Sequence, residues 1–180
     1  ALHLIQEYNL KSILELGVGS GCIIAAILSN SIGTKAVGVD ISEQAIMTAK
    51  SNLIKNGIKN FDLVVSDWGL SLNRTFDIII SNPPYIKTNE IKNLNKNVKD
   101  HDPLISLDGG VDGLDCYRVI ANQSTHLINE KGYILVEIGH DQAKGVEKIF
   151  GNNDFLLTNK VKDYSNLDRV LIFVKKKIKK

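Results

Sequence analysis

The chain has 180 residues, 43% hydrophobic and 23% charged, a balance that excludes a disordered or fibrous protein and suffices for one packed domain. No apolar run reaches the roughly 20 residues of a membrane-spanning helix, and no secretory pattern opens the chain. The net charge of +2 hides a division: Lys175, Lys176, Lys177, Lys179 and Lys180 crowd the last six positions, so residues 1–174 carry −3 and lack the basic footprint of a nucleic-acid binder.

The first residue is Ala1 and the only methionine is Met47, so the sequence is expected to be a piece of a longer or processed protein. Cys22 and Cys116 lie far apart with no metal-ligand spacing. Both are expected to be buried free thiols, which fits a reducing cytoplasm, and no metal site is expected.

In chain order, residues 2–8 read as a short helix and residues 12–16 (SILEL) as a strand. A glycine-rich turn, Gly17-Val18-Gly19-Ser20-Gly21, follows at once, and residues 22–29 continue as an apolar helix. Strand, glycine turn and helix form a Rossmann-like opening, in which backbone can approach a ligand closely. The spacing is G-x-G-x-G, and the third glycine of the dinucleotide fingerprint would fall at Cys22, so a dinucleotide is disfavoured.

Residues 35–40 (KAVGVD) form the second predicted strand, ending in Asp40 at the distance where an acid takes the ribose hydroxyls of an adenosine ligand. Ser42 caps a predicted helix over 43–56, closed by Asn56-Gly57. The third strand, 61–66, leads to Asp67-Trp68. A carboxylate beside an indole suits an adenine ring, although a tryptophan here also reads as core.

Residues 76–81 (FDIIIS) are β-branched and apolar, as in a buried parallel strand. The run stops at Asn82-Pro83-Pro84-Tyr85, because proline cannot donate to a ladder. The tetrapeptide must therefore project past the carboxyl end of its strand, where ligands bind in open α/β sheets. Each proline fixes its own φ and holds the residue before it extended. Asn82 and Pro83 thus present oxygens in set directions beside an aromatic ring, an arrangement suited to gripping a planar –NH₂ group.

A long polar stretch runs from Lys87 to Asp102. The acids and glycines of 108–113 lack calcium-loop spacing and read as a turn and helix start. A helix is predicted over 114–128, a strand over 132–138, a helix over 141–150 and two strands near 154–161 and 169–174. That alternation completes a seven-strand sheet. His3, His101, His126 and His140 do not cluster; His101 near the tetrapeptide could be a base but reads more simply as a solvated loop histidine. No nucleophile has a motif-level partner, so covalent catalysis is not indicated.

Together, Glu15-x-Gly17-x-Gly19-x-Gly21, Asp40, Asp67-Trp68 and Asn82-Pro83-Pro84-Tyr85 resemble a class I S-adenosylmethionine-dependent methyltransferase. Asp102-Pro103-Leu104, Gly109-Gly110-x-Asp112-Gly113-Leu114 with Tyr117-Arg118, and Glu137-Ile138-Gly139 with Gln142 narrow the resemblance to the HemK/PrmC family, the glutamine N5-methyltransferases of peptide chain release factors. Asp102 stands where that family usually carries Glu.

The resemblance implies a Rossmann-like α/β fold with helices on both faces and the last of seven strands antiparallel. It implies a cytoplasmic enzyme that binds S-adenosylmethionine, releases S-adenosylhomocysteine and acts on a Gly-Gly-Gln protein segment. Gly17, Val18, Gly19, Ser20, Gly21, Asp40, Asp67, Trp68 and Asn82 would hold the cofactor. Asn82, Pro83, Pro84 and Tyr85 would hold the substrate, with Asn82, Pro83 and Tyr85 acting in catalysis. The methyltransferase domain would span 1–174, with 175–180 as a basic tail or linker and a substrate-docking N-terminal domain absent. Amino-group methylation of DNA or RNA is the alternative; it would need a basic groove, for which Lys87, Lys92, Lys96 and Lys99 could form only a local patch. Nucleic acid contact is otherwise expected only through the lysine tail or a fused domain.

Overall fold

A computed structural model describes residues 1–94 and 103–176. His101, Asp102, Lys96, Lys99 and the end of the lysine tail lie outside the described residues.

Alternation along the chain gives α1 (Leu2–Tyr8), β1 (Ser12–Leu16), α2 (Cys22–Ser29), β2 (Lys35–Asp40), α3 (Glu43–Lys55), β3 (Phe61–Val65) and β4 (Phe76–Ser81). A four-residue helix, α4 (Thr88–Ile91), stands where only loop was predicted. Then come α5 (Asp115–Leu127), β5 (Ile128–Glu137), α6 (Ala143–Asn152), β6 (Phe155–Lys162) and β7 (Asp168–Lys175). The seven strands form one sheet in the order β3-β2-β1-β4-β5-β7-β6. Pairings are parallel from β3 through β5, and β7 runs antiparallel between β5 and β6.

The predicted boundaries hold closely except at β5, which starts at Ile128 rather than 132. Phe76 pairs with Ile128 but Ile78 with Tyr133, so residues 129–131 bulge out while the strand continues. The polar residues of that bulge hid the strand's beginning. One of them, Asn129, donates from Nδ2 to Asp77 Oδ1 at 2.7 Å.

Period-two alternation sorts the core onto both sheet faces. Leu14, Leu16, Ile79, Ile134, Val136, Leu171 and Phe173 face α5 and α6. Ile13, Ile78, Ile80, Leu135 and Ile172 face the side of α1, α2 and α3. On the first face Phe150 stacks on Phe173 with centroids 4.3 Å apart.

Sheet order reverses between β1 and β4, which opens a crevice at their carboxyl ends. There Ser81 Oγ donates to the Leu16 carbonyl at 2.8 Å, tying the two strand ends together. At the other end Asp77 accepts from the backbone N–H of Lys11 (2.9 Å) and Ser12 (3.0 Å). The crevice is thus braced from both ends of the strands that form it.

Candidate active site

The glycine turn follows β1 directly. Gly17 and Val18 N–H both donate to the Val39 carbonyl, at 2.9 and 2.8 Å, folding the turn back over β2. Gly21, at φ 77°, is the N-cap of α2; a Cβ there would lie 3.2 Å from the Ala49 Cβ, so the missing side chain lets α2 close on α3. A glycine N-cap offers no side-chain acceptor. Glu15 supplies one from β1, accepting from Ile24 N–H at 3.1 Å.

Glu15 is 2% exposed. Burial pushes its carboxyl up to about 8, the Ile24 N–H works against that, and Asp40 adds to the rise. Asp40 at the end of β2 is held by two backbone donors, Gly19 N–H and Ser42 N–H, both at 2.9 Å. Its carboxylate joins the glycine turn to the start of α3 and keeps lone pairs for further donors. Ser42 caps α3 as predicted, accepting from Ala45 N–H at 3.2 Å.

Trp68 sits at φ 50°, a backbone conformation uncommon for a bulky residue. Its indole lies over Gly17, where an added Cβ would be 3.8 Å from Cζ3, and it also packs against the core of the α5 face. The ligand-facing and core readings of Trp68 therefore coincide.

Asn82 is exposed, Pro83 is buried, and Pro84 and Tyr85 are half-buried. The segment after them is pinned by the downstream glycine loop. Ile86 N–H donates to the Leu107 carbonyl (3.0 Å) and Gly109 N–H to the Ile86 carbonyl (2.8 Å). Thr88 Oγ1 donates to Asp108 Oδ1 at 2.7 Å. Gln142, almost fully buried, completes the clamp. Its Nε2 donates to the carbonyls of Tyr85 (2.9 Å) and Gly113 (3.0 Å), and its Oε1 accepts from Gly139 N–H (2.9 Å). A Cβ on Gly113 would come within 2.6 Å of the Tyr85 carbonyl oxygen, so that position admits no side chain without displacing the tetrapeptide. Asp112 and Asp115 pair with Arg118 at the start of α5, which agrees with the helix-start reading of the acidic loop.

These elements enclose a cavity of about 480 Å³ at the crevice. Glu15, Gly17, Val18, Gly19, Ser20, Asp40, Asp67, Trp68, Asn82 and Pro84 line it. Of the remaining predicted site residues, Gly21 faces α3, Pro83 is buried and lines neither this cavity nor the groove described next, and Tyr85 packs against the core of the α5 face. A second groove, about 700 Å³, opens on the α1–α2 side and shares Cys22, Ile23 and Asn82 with the cavity. Asn82 therefore stands where two spaces meet. Acids, an aromatic face and open backbone suit a ligand that donates hydrogen bonds and carries positive charge, and Asn82 borders the second groove as well.

The expectation of two buried thiols is corrected. Cys22 is exposed and Cys116 half-buried, and both line the cavity. Cys22 opens α2 at the cavity mouth, which an apolar helix pattern does not reveal. Burial pushes the Cys116 thiol up to about 11, with Asp115 and Asp108 adding to the rise. Sequence reasoning also assigned no place in the site to Glu15, Ile105, Ser106 or Asp108. Glu15 was visible as the acid two residues before the first glycine; the others come from a segment remote in sequence. No cluster of three or more metal-ligating side chains occurs among the described residues.

The family model of the methyltransferase small domain matches residues 2–100. The release factor glutamine methyltransferase of Agrobacterium fabrum is 44% identical over 162 residues, covering 89% of this chain and 56% of that protein. That of Fusobacterium nucleatum is 38% identical over 180 residues, covering 99% of this chain and 51% of its own. The chain spans about half the length of these curated relatives. Among solved structures, the ribosomal protein L11 methylase of Lactobacillus delbrueckii superposes with a TM-score of 0.70 at 18% identity, covering 92% of this chain and 70% of that one, which shows the shared fold. With its glycine turn, strand-end acids and Asn-Pro-Pro-Tyr segment assembled at one crevice, the chain belongs to the methyltransferase small-domain family, as its HemK/PrmC motifs implied.

Proposed function

We propose that this domain transfers a methyl group from S-adenosylmethionine to the side-chain amide nitrogen of the glutamine in the Gly-Gly-Gln segment of peptide chain release factors, in the cytoplasm. The observation that carries the reading is the position of Asn82 at the junction of an acid-lined cavity and a separate groove. The names of the matched relatives support the same substrate.

The cavity residues fit the cofactor. Asp40 keeps lone pairs for two ribose hydroxyls after its two backbone bonds. Trp68 offers a ring face and Asp67 an acceptor for an adenine amino group, while Gly19 leaves open space within 4 Å of where a Cβ would stand. Burial and the neighbouring Asp40 push the Glu15 carboxyl up, and a cationic group beside it would favour its ionised form. When bound, S-adenosylmethionine supplies an electrophilic methyl group on a sulfonium centre.

The chain's own residues solve the remaining problem, a weak nucleophile. An amide nitrogen is poor because its lone pair is delocalised into the carbonyl. The Asn82 side-chain oxygen and the Pro83 backbone oxygen accept its two N–H groups, orient the nitrogen and favour the positive charge that grows on it. Tyr85 anchors the tetrapeptide from the α5 side, where it packs on the core and its carbonyl accepts from Gln142. The nitrogen's proton becomes acidic only once methylation is under way, so solvent suffices to remove it.

The test is mass spectrometry of release factor after incubation with the protein and labelled cofactor, with Asn82→Ala alongside. One added methyl on the Gly-Gly-Gln glutamine is expected. The variant should turn over roughly 10²–10³-fold more slowly, the scale of one lost preorganised contact. Parental turnover in Asn82→Ala would remove the amide grip. Label on a nucleobase instead of glutamine would favour the alternative substrate.

A further inference from the structure

Beside Asn82 lies a carboxylate that the reaction described above does not use. Glu137 ends β5, and Ser81 of β4 pairs with Val136, so Asn82 and Glu137 follow at the same level on neighbouring strands. Alternation sends Glu137 to the side of Leu135, the α1–α2 face. There it lines the 700 Å³ groove together with Asn82, Ile23, Ile80, Val170 and Ile172. The Glu137 backbone carbonyl accepts from the Tyr117 hydroxyl at 2.8 Å. Its carboxylate has no hydrogen bond or ion pair among the described residues. Arg169, the cation that acts on it, is committed to Asp163 and to the Ile138 carbonyl, each at 3.0 Å. Burial raises the Glu137 carboxyl above its ordinary range and Arg169 opposes the rise. The carboxylate is half-buried and faces an otherwise largely apolar groove that opens on the acceptor site, with acceptor capacity left for an incoming donor.

We infer that Glu137 accepts backbone N–H groups from the segment flanking the acceptor amide, and so selects an extended peptide over an isolated amide or a nucleotide. The inference rests on the glutamine reading and deepens it. Donor counting leads to it: a primary amide has two N–H groups, and Asn82 and Pro83 take both. Any donor left for Glu137 belongs to the chain that carries the amide. Glycines beside the glutamine present their N–H groups with no side chain to hold the carboxylate away. A flipped nucleotide would bring phosphates into the same groove, where an unpaired carboxylate repels them.

The experiment compares steady-state methylation of a Gly-Gly-Gln peptide, free glutamine and intact release factor by the parent, Glu137→Leu and Glu137→Gln. Leucine keeps the volume and removes both oxygens on an apolar face, so that variant is expected to fold and to bind cofactor with parental affinity. For the peptide, KM should rise roughly tenfold or more in Glu137→Leu, the scale of a lost hydrogen bond to a charged group, and less in Glu137→Gln. With little change in kcat and unchanged kcat/KM for free glutamine, that result supports the role. A parental peptide KM in Glu137→Leu overturns it, as does an equal loss on peptide and free glutamine. A parent that methylates none of the three substrates overturns the glutamine reading, and this inference with it.

Discussion

Glu15 shows how one side chain serves two demands. As an acceptor it caps α2, where the sequence spends its N-cap position on a glycine. As a buried acid it keeps its proton to about pH 8, against an ordinary value of 4.5. The sign of the stability effect follows. Between those two values the unfolded chain has released the proton while the folded chain still holds it, so stability falls as pH rises through the window and levels off above it. Each pH unit inside the window costs up to about 1.4 kcal/mol. Glu15→Gln keeps an acceptor for Ile24 and has no proton to lose. Urea denaturation across the window should show the parent weakening towards pH 8 more steeply than Glu15→Gln, which keeps only the smaller slope from the raised Glu137 carboxyl. A parent no steeper than the variant would mean that Glu15 is already ionised in the fold. The acid was visible in the sequence as part of the glycine motif. Its protonation was not, because that depends on Ile24 and Asp40 being folded over it.

At the scale of elements, the strand-to-turn boundaries were the most legible feature, because prolines and glycines stop strands by covalent geometry. Asn82-Pro83-Pro84-Tyr85 could be placed at a strand end without coordinates. What could not be read was how its far side is held. That clamp joins Tyr85, the 109–113 loop and Gln142, residues up to 57 positions apart. Sequence periodicity reports neighbours along an element and is silent on such contacts. The β5 bulge escaped for a related reason: residues 129–131 are polar, yet their strand runs on through them.

The clamp makes a prediction about function as well as stability. Gln142→Ala leaves the Tyr85 and Gly113 carbonyls and the Gly139 N–H without a partner. At about 1–3 kcal/mol for each buried polar group left unpaired, the fold should lose on the order of 3 kcal/mol by chemical denaturation. Turnover should drop further than cofactor affinity, because Gln142 holds the tetrapeptide and not the glycine turn. Equal losses in both would show that the clamp supports the whole crevice.

Over the whole molecule, the alternation of elements implied an α/β sheet and the resemblance an antiparallel last strand, and the sheet has that form. The domain offers a cavity and a groove, whereas specific protein interfaces usually bury about 1,200–2,000 Å² in total. We propose that most of the docking surface for release factor lies outside these 180 residues, in a preceding domain. Residues 1–180 alone should then bind S-adenosylmethionine but methylate release factor with a much lower kcat/KM than a longer protein of the relatives' length. Steady-state assay of both on intact release factor makes the comparison. Equal values would place the docking surface on this domain.

Strand direction also decides what an observer attached to this molecule could see. Because β7 runs against its neighbours, Lys176 lies at the amino ends of the parallel strands, bonded through its N–H to the Asp154 carbonyl at 2.7 Å. Ala1, at the start of α1, lines the groove that holds Asn82 and Glu137. The two positions look out from opposite poles of the sheet. On the proposed reading of that groove, a fluorophore placed at position 1 would sit in the path of an arriving acceptor and report its binding, whereas one placed at position 176 would stay dark to that event and serve as the internal reference.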